Sequence, residues 1–264
     1  MKQNKPVIGI LPTFNLTNEK NDPHADRASF VRLYIEKISS CGGIPLGLLK
    51  ENIEDYLELC DGFLWPGGTK IWPTFYRVLD HALETHKPVL GVCMGTQAIA
   101  TYFNVIEDQK KYPGKTFDEV YDIMKESNPY LVKMNESERL NHTHTITYDS
   151  TSISNAKHLI NIKENTLLHK LFGCSKLNVV SIHSMKINRA SKRLKINALS
   201  NDSVIEGLEY LENKNNILGV QFHPEIESDV TLFKWLIDRS KEVQNARNSW
   251  SRNSKTYFKR KNTK

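Results

Sequence analysis

Cys93 occupies a position in the sequence where a thiol could act as a nucleophile. It lies between two glycines in the segment 91–97, directly after the apolar run 88–92. A cysteine with small neighbours at the end of a buried strand is typical of a nucleophile elbow, the tight turn that exposes a side chain above a sheet. A helix beginning at this turn would favour the thiolate, which is the nucleophilic form. The sequence therefore predicts that Cys93 attacks a carbonyl carbon.

His223 and Glu225 supply the two further groups that such a nucleophile needs. A second apolar run, 217–222, ends at His223, and Pro224 fixes the exit of the chain from this predicted strand. An imidazole at this position could take up a proton and return it. Glu225 lies two residues further on, where a carboxylate could orient the ring and stabilise its charged form. Together with Cys93, these residues fill the three roles of a catalytic triad.

The segment 66–68 breaks the chain at the end of a strand predicted over 62–65. Its two glycines let the backbone approach a substrate closely. The N–H groups of Gly68 and Met94 could receive the negative oxygen that forms when sulfur attacks a carbonyl. Each donor of such an oxyanion hole typically contributes about 3 to 4 kcal/mol. We therefore predict an oxyanion hole formed by Gly68 and Met94.

The other cysteines and histidines give weaker signals. Cys41, Cys60 and Cys174 form no C-x-x-C pair, so we predict neither a zinc site nor a disulfide framework, and we expect reduced, inert thiols. His142 and His144 alternate along one predicted strand, which suits metal binding, but no carboxylate cluster accompanies them in the sequence. We expect neither a metal nor a cofactor.

The segments around these residues predict an α/β fold. Short apolar runs alternate with helix-like segments in the first half of the chain, which is the pattern of a parallel sheet covered by helices. Residues 103–139 are polar and poorly periodic and receive no assignment. The later runs are predicted to add antiparallel strands. The predicted strands are 7–11, 44–49, 62–65, 88–92, 143–148, 178–184, 194–199, 204–211 and 217–222, and the predicted helices are 26–40, 51–60, 74–85, 95–102 and 228–243.

Length and composition predict one domain followed by a tail. The chain has 264 residues and is 39% hydrophobic, which is enough for a full core. We predict that residues 1–245 form this domain and that 246–264 form a basic, flexible tail, because the tail contains no acidic residue. Much of the net charge of +6 lies in the tail, and no nucleic-acid partner is expected. No apolar run approaches the roughly 20 residues that a membrane-spanning helix needs, and the N-terminus is too polar for a signal peptide. We therefore expect a cytoplasmic protein without membrane association.

Three segments together resemble the signature blocks of the class I glutamine amidotransferase-like family: 66–68, 91–97 and 219–225. Within this family the sequence most resembles the γ-glutamyl-γ-aminobutyrate hydrolase-like branch, over about residues 7–243. The further matching residues are Gly42, Gly43, Ile44, Pro45, Pro73, Tyr76, Ser181, Ile182, His183, Val204, Ile205, Glu206 and Gly207.

The resemblance implies a flavodoxin-like, mainly parallel mixed sheet with helices on both faces and the cysteine at the elbow. It also implies that Cys93 cleaves a γ-glutamyl amide through a γ-glutamyl thioester, which water then hydrolyses. Gln97 and the backbone at Ser184 and Met185 would hold the α-amino and α-carboxylate groups of the glutamyl substrate. That branch commonly has arginine in place of Met94 and His-Gln in place of Ser184 and Met185. These departures leave the leaving amine unidentified.

Three functions are compatible with these residues. The first is a free-standing hydrolase acting on a small γ-glutamyl amine or peptide. The second is a glutaminase subunit that passes ammonia to a synthetase on another chain, but the sequence contains no synthetase-like region or nucleotide-binding loop, which favours the first. The third is a catalytically silent binding protein, against which the three triad residue types argue. The oligomeric state, including a homo-oligomer, is left open.

Overall fold

Strands and helices alternate along much of the chain. The computed structural model describes residues 5–16, 26–68, 73–147, 149–212 and 216–261. Its strands are β1 (Val7–Ile10), β2 (Thr13–Leu16), β3 (Asp26–Ser29), β4 (Ile44–Gly47), β5 (Gly62–Trp65), β6 (Val89–Val92), β7 (Leu131–Lys133), β8 (Lys157–Ile162), β9 (Lys176–Val180), β10 (Met185–Ile187), β11 (Lys195–Ser200), β12 (Ile205–Tyr210) and β13 (Ile217–Val220). Its α-helices are α1 (Arg32–Ser40), α2 (Ile53–Leu59), α3 (Arg77–Thr85), α4 (Met94–Asp108), α5 (Phe117–Ser127), α6 (Glu136–His142), α7 (Ser150–Asn155), α8 (Leu167–Phe172) and α9 (Thr231–Lys261).

The main sheet has a parallel half and an antiparallel half. Its strand order within the described residues is β4-β1-β5-β6-β13-β12-β11-β8-β9. The strands from β4 to β13 are parallel, whereas those from β12 to β9 run antiparallel to their neighbours. In the centre, Gly219 of β13 pairs with Gly91 of β6. The carboxyl ends of β5, β6 and β13 therefore meet at one edge of the sheet.

Helices cover both faces of this sheet. Phe63 and Trp65 of β5 belong to a core that includes residues of α2, α3 and α4, whereas Leu64 belongs to the opposite core with residues of α1, α8 and α9. This alternation follows from the two-residue period of a strand. Every residue of β5, β6 and β13 is buried, as expected for strands covered on both sides. The predicted α/β class with a mainly parallel sheet is confirmed.

The helix predicted over 26–40 is wrong in its first part. Asp26–Ser29 forms β3, and α1 begins only at Arg32. β3 pairs antiparallel with β2, and the Thr13 hydroxyl donates to Ser29 O at 3.1 Å. Pairing with a neighbouring segment overrides the local helical pattern, which is only a weak determinant of structure.

The strand predicted over 143–148 is also wrong. Residues 143–147 are irregular, and Tyr148 lies outside the described residues. Instead of pairing in a sheet, this segment is attached to another loop, since the Thr143 hydroxyl donates to His183 O at 2.8 Å. In the preceding unassigned region, α5 and α6 begin with capping boxes at Thr116 and Asn135, which are the sequence signals for these helix starts.

The last helix extends beyond its predicted end at residue 243, to Lys261. Gln244 Nε2 donates to Asp61 Oδ2 at 3.0 Å, and Arg247 Nη2 lies 2.9 Å from Asp61 Oδ1. Asp61 is fully buried, so the Arg247 guanidinium compensates its charge and the Gln244 amide satisfies one of its oxygens. The boundary at residue 245 stays a prediction, but the segment beyond it includes Arg247, which contacts the domain. Among the described helices, α9 included, none has the length and apolar character needed to cross a membrane.

Truncation of α9 is expected to distinguish its docked part from the rest. Ending the chain after Val243 removes Gln244 and Arg247 from the buried Asp61 carboxylate, so we expect the free energy of unfolding to fall by about 2 kcal/mol or more. Ending it after Asn248 keeps both contacts and should cost less than about 0.5 kcal/mol. Urea denaturation followed by circular dichroism compares the two proteins. Equal stabilities would contradict the docking of α9 through Asp61.

Candidate active site

Cys93 lies at the sharp turn between β6 and α4. Its backbone has φ 50° and ψ −108°, a conformation that residues other than glycine rarely adopt. The Cys93 N–H donates to Val220 O at 2.8 Å, so β13 anchors the turn. Glycine is required at Gly95, because a Cβ there would lie 2.0 Å from Trp65 O. Cys93 thus stands at a strained turn of the predicted kind, while its role as nucleophile stays a prediction.

His223 and Glu225 form a buried pair beside this turn. His223 follows β13, and its Nδ1 lies 2.7 Å from Glu225 Oε1. Burial lowers the pKa of His223, but the negative charges of Glu225 and of a Cys93 thiolate outweigh it and raise the pKa well above its ordinary value. The surroundings of His223 therefore favour an imidazolium ring held between a carboxylate and a sulfur atom.

Gly67 shows how closely the cysteine and histidine side chains approach each other. A Cβ on Gly67 would lie 2.9 Å from His223 Cε1 and 3.3 Å from Cys93 Cβ. One backbone position thus faces both side chains, and glycine there leaves room for the imidazole. Gln221 adds a polar group that the sequence analysis missed, since its Nε2 lies 3.8 Å from Cys93 Sγ. The available signal was a polar residue inside the otherwise apolar run 217–222.

Gly68 and Met94, the predicted oxyanion donors, are neighbours in the structure. A Cβ on Gly68 would lie 3.1 Å from Met94 Cε, so the Met94 side chain lies against the Gly68 backbone. Met94 is the first residue of α4. The N–H groups of a first helical turn lack intrahelical partners and carry the positive end of the helix dipole. The two residues are placed together, and their role as oxyanion donors stays a prediction.

Gln97 and Met185, two of the predicted substrate-binding residues, are in direct contact. Gln97 lies one helical turn after Cys93, and its N–H donates to Cys93 O at 3.1 Å. Its side-chain Nε2 donates to Met185 O, also at 3.1 Å. Ser184 precedes Met185 and is exposed, while its carbonyl oxygen accepts the Met134 N–H. The structure therefore links the turn 184–185 to the helix that follows Cys93, whereas contact of these residues with a substrate stays a prediction.

Tyr34 of α1 is a second site residue that the sequence analysis missed. Its hydroxyl accepts the Gly67 N–H at 3.3 Å. Burial and the negative charge of Glu225 raise the pKa of Tyr34 well above its ordinary value. In the sequence, Tyr34 is indistinguishable from the apolar residues at helical spacing around it. Its position beside Gly67 depends on a long-range contact between α1 and the turn after β5.

Replacing Tyr34 with phenylalanine should lower kcat about 10-fold with little change in KM, because Gly67 loses the oxygen that orients it beside His223 and Cys93. Steady-state kinetics on the substrate that the protein turns over fastest test this. The matched control is Tyr130→Phe, which removes a buried hydroxyl that donates to Asp108 at 3.1 Å. The control should alter stability and leave kcat unchanged. Equal effects of the two substitutions on kcat would rule out a specific positioning role for Tyr34.

A second buried polar cluster lies behind the loop that carries Ser184. In this cluster, His142, His158 and His183 surround Glu206. Burial raises the pKa of Glu206, but the effect of the histidines is larger and lowers this pKa to about 2. Burial lowers the pKa of His158 to about 4. The expectation that no carboxylate accompanies His142 is therefore wrong, because Glu206 reaches it from a distant strand. His144 is not part of the cluster, and its Nε2 lies 3.1 Å from Asn141 O.

Known proteins resemble this chain over most of its length. The profile of the peptidase C26 family matches residues 6–81 and 77–225. A putative glutamine amidotransferase-like protein of Rickettsia prowazekii is 30% identical, over 90% of this chain and 99% of its own. The γ-glutamyl-γ-aminobutyrate hydrolase of Escherichia coli is 25% identical, over 85% of this chain and 87% of its own. A CTP synthase of Thermosipho africanus is 26% identical over a segment that covers 71% of this chain and 37% of the synthase.

Solved structures show a similar fold. The glutaminase domain of a Trypanosoma brucei CTPS with bound acivicin superposes with a TM-score of 0.62 at 14% sequence identity. The match covers 90% of this chain and 94% of that domain. At this level of identity the likeness concerns the fold alone.

Proposed function

The chain belongs to the peptidase C26 family of class I glutamine amidotransferase-like proteins, and we propose that it hydrolyses the γ-glutamyl amide bond of a small γ-glutamyl compound through a thioester on Cys93. The observation that carries this proposal is the position of Cys93 at a turn with φ 50°, next to a histidine whose Nδ1 lies 2.7 Å from Glu225 Oε1. Similarity to the E. coli γ-glutamyl-γ-aminobutyrate hydrolase supports the choice of substrate class.

The reaction would proceed in two halves. The Cys93 sulfur attacks the γ-carbonyl carbon, and the carbonyl oxygen, now negative, accepts hydrogen bonds from the N–H groups of Gly68 and Met94. His223 gives its proton to the leaving nitrogen, the C–N bond breaks, and a γ-glutamyl thioester remains. Water then attacks the thioester while His223 takes a proton from it. The C–S bond breaks, which releases glutamate and restores the Cys93 thiolate.

The glutamyl half of the substrate would be held near Gln97. This amide uses one N–H for Met185 O, which leaves its second N–H and its oxygen for the α-carboxylate and α-amino groups. The backbone at Ser184 and Met185 would supply the remaining contacts. The Met94 side chain, which lies against Gly68, would border the path of the leaving amine. Because Met94 carries no charge, we propose that a carboxylate on the leaving amine gains little binding energy from this residue.

A substrate panel tests this proposal. The purified chain is incubated with glutamine, γ-glutamyl-γ-aminobutyrate, an uncharged γ-glutamyl alkylamide and the α-glutamyl isomer of that alkylamide, and released glutamate is measured by mass spectrometry. We expect at least one γ-glutamyl amine to exceed glutamine in kcat/KM and the α-glutamyl isomer to be inert. Release of no glutamate from any γ-glutamyl compound would overturn the proposal and support a silent binding protein.

The second candidate function is a glutaminase subunit that supplies ammonia to a separate synthetase chain. The match to a CTP synthase favours it, because this chain corresponds to only 37% of the length of that synthase. The same panel distinguishes the two functions. Clear preference for glutamine, increased further when a synthetase partner is added, would favour the glutaminase subunit over the free-standing hydrolase.

A further inference from the structure

Four side chains from separate elements meet in the buried cluster behind residues 181–185. His142 ends α6, His158 lies in β8, Glu206 lies in β12, and His183 lies between β9 and β10. Measured from Glu206 Oε1, the distances are 3.1 Å to His142 Nδ1, 3.5 Å to His183 Nε2 and 3.6 Å to His158 Nε2. Three imidazole nitrogens thus converge on one carboxylate oxygen.

Apart from one another, these converging atoms have no hydrogen-bond partner in the part of the chain that the structure describes. This is true of His142 Nδ1, His158 Nε2, His183 Nε2 and both oxygens of Glu206. His142 and Glu206 are fully buried, and His183 is 3% exposed. Buried polar groups are normally paired, because leaving one unpaired costs about 1 to 3 kcal/mol. A group of such atoms facing one point indicates a missing partner at that point.

The opposite ring nitrogens indicate which partner is missing. His183 Nδ1 lies 3.0 Å from Met185 O, and His142 Nε2 lies 3.1 Å from both Asp202 oxygens. A carbonyl and a carboxylate only accept, so the hydrogens of neutral rings belong on these nitrogens. The nitrogens facing Glu206 then present lone pairs to a carboxylate that also presents lone pairs. A cation between them removes this repulsion, and metal-binding histidines typically have such an outer hydrogen bond.

We propose that His142 Nδ1, His183 Nε2 and Glu206 bind a Zn²⁺ ion. The donor atoms of His142, His183 and Glu206 all lie within 4.8 Å of one another. Tetrahedral zinc with bonds of about 2.0–2.1 Å separates neighbouring ligand atoms by about 3.3 Å. The distances from Glu206 Oε1 to His142 Nδ1 and His183 Nε2 lie close to this value. Imidazole ligands favour zinc and other transition metals over magnesium and calcium.

The position of this site suggests a structural role that extends to the candidate active site. Met185 O accepts from both Gln97 Nε2 and His183 Nδ1. A zinc ion on His183 would therefore fix the turn next to Gln97 and join it to α6 and β12. This inference goes beyond the proposed function and holds whatever the substrate is, so its test does not require catalysis.

Metal analysis of the purified full-length chain is expected to find about one zinc per chain. After removal of zinc by a chelator, Co²⁺ should give the visible absorption of a tetrahedral site, and added Zn²⁺ should abolish it and raise the Tm. His183→Gln and Glu206→Gln should each lose stoichiometric zinc. Asp202→Asn should weaken zinc binding about 10- to 100-fold, because Asp202 orients His142. His144→Ala is the matched control and should bind zinc as the parent does.

Two results would overturn the zinc site. One is a folded parent protein that neither contains zinc nor binds added Zn²⁺ or Co²⁺, with a Tm that zinc and chelator leave unchanged. In that case protonated histidines would compensate Glu206, which nuclear magnetic resonance of the ring N–H groups would detect. The other is loss of zinc in His144→Ala equal to that in His183→Gln. The cobalt spectrum of the parent remains decisive if the ligand variants fail to fold.

Discussion

Replacing Cys93 with alanine is expected to lower glutamate release from the best γ-glutamyl substrate at least about 10⁴-fold, because no thioester can form without the sulfur. Alanine keeps the Cβ at the turn, and the hydrogen bond from the backbone N–H of residue 93 to Val220 O is unaffected. The free energy of unfolding should therefore change by less than about 1 kcal/mol. Rates of glutamate release and denaturation curves measure both effects. Activity within severalfold of the parent would exclude Cys93 as the nucleophile.

The other cysteines provide matched controls for this result. Burial raises the pKa of Cys60 to about 12, so its thiol stays protonated near neutral pH. Cys60→Ala should reduce stability, since the side chain is fully buried, without lowering kcat. Cys174 is half-buried, and its replacement should change neither quantity. Loss of activity on replacing Cys60 or Cys174 would assign the chemistry to another thiol.

The sequence predicts the centre of the fold well because its signals there are local. The strand before Cys93 is a continuous apolar run, and the turn after it contains Gly95, which the structure requires to be glycine. His223 follows a second apolar run, and Pro224 directly after it fixes the exit of the chain. Buried parallel strands carry such runs, and sharp turns carry such breakers. For these elements, the residues that determine the structure are adjacent in the sequence.

The remaining features depend on residues that are distant in the sequence. Nothing near Tyr34 indicates that its hydroxyl contacts Gly67, and nothing near His142 indicates that Glu206 lies 3.1 Å away. Both contacts arise only when the sheet brings separate elements together. The helix predicted over 26–29 was wrong for the same reason, because the pairing of this segment with β2 outweighs its helical pattern. Tertiary contacts therefore set the limit of what the sequence alone could predict.

His223→Asn is expected to reduce turnover about as much as Cys93→Ala, because a nucleophile and its base act as a unit. The double variant should be no worse than either single variant, since each already removes the shared step. Measurement of kcat/KM for the three proteins tests this coupling. Additive losses would mean that Cys93 and His223 act independently, and the proposed triad would then be wrong.

Glu225→Gln is expected to lower turnover less, by about 10²-fold, because in the proposed mechanism Glu225 orients and stabilises the imidazolium without transferring a proton itself. The glutamine oxygen can still accept from His223 Nδ1, but the negative charge that raises the pKa of His223 is lost. With a lower pKa, the imidazolium is lost at a lower pH, so the alkaline limb of the kcat/KM profile should shift to lower pH. The matched control is Glu227→Gln, whose carboxylate pairs with Lys157 and should leave that limb unchanged. If Glu225→Gln were more damaging than His223→Asn, the roles assigned to these residues would have to be exchanged or abandoned.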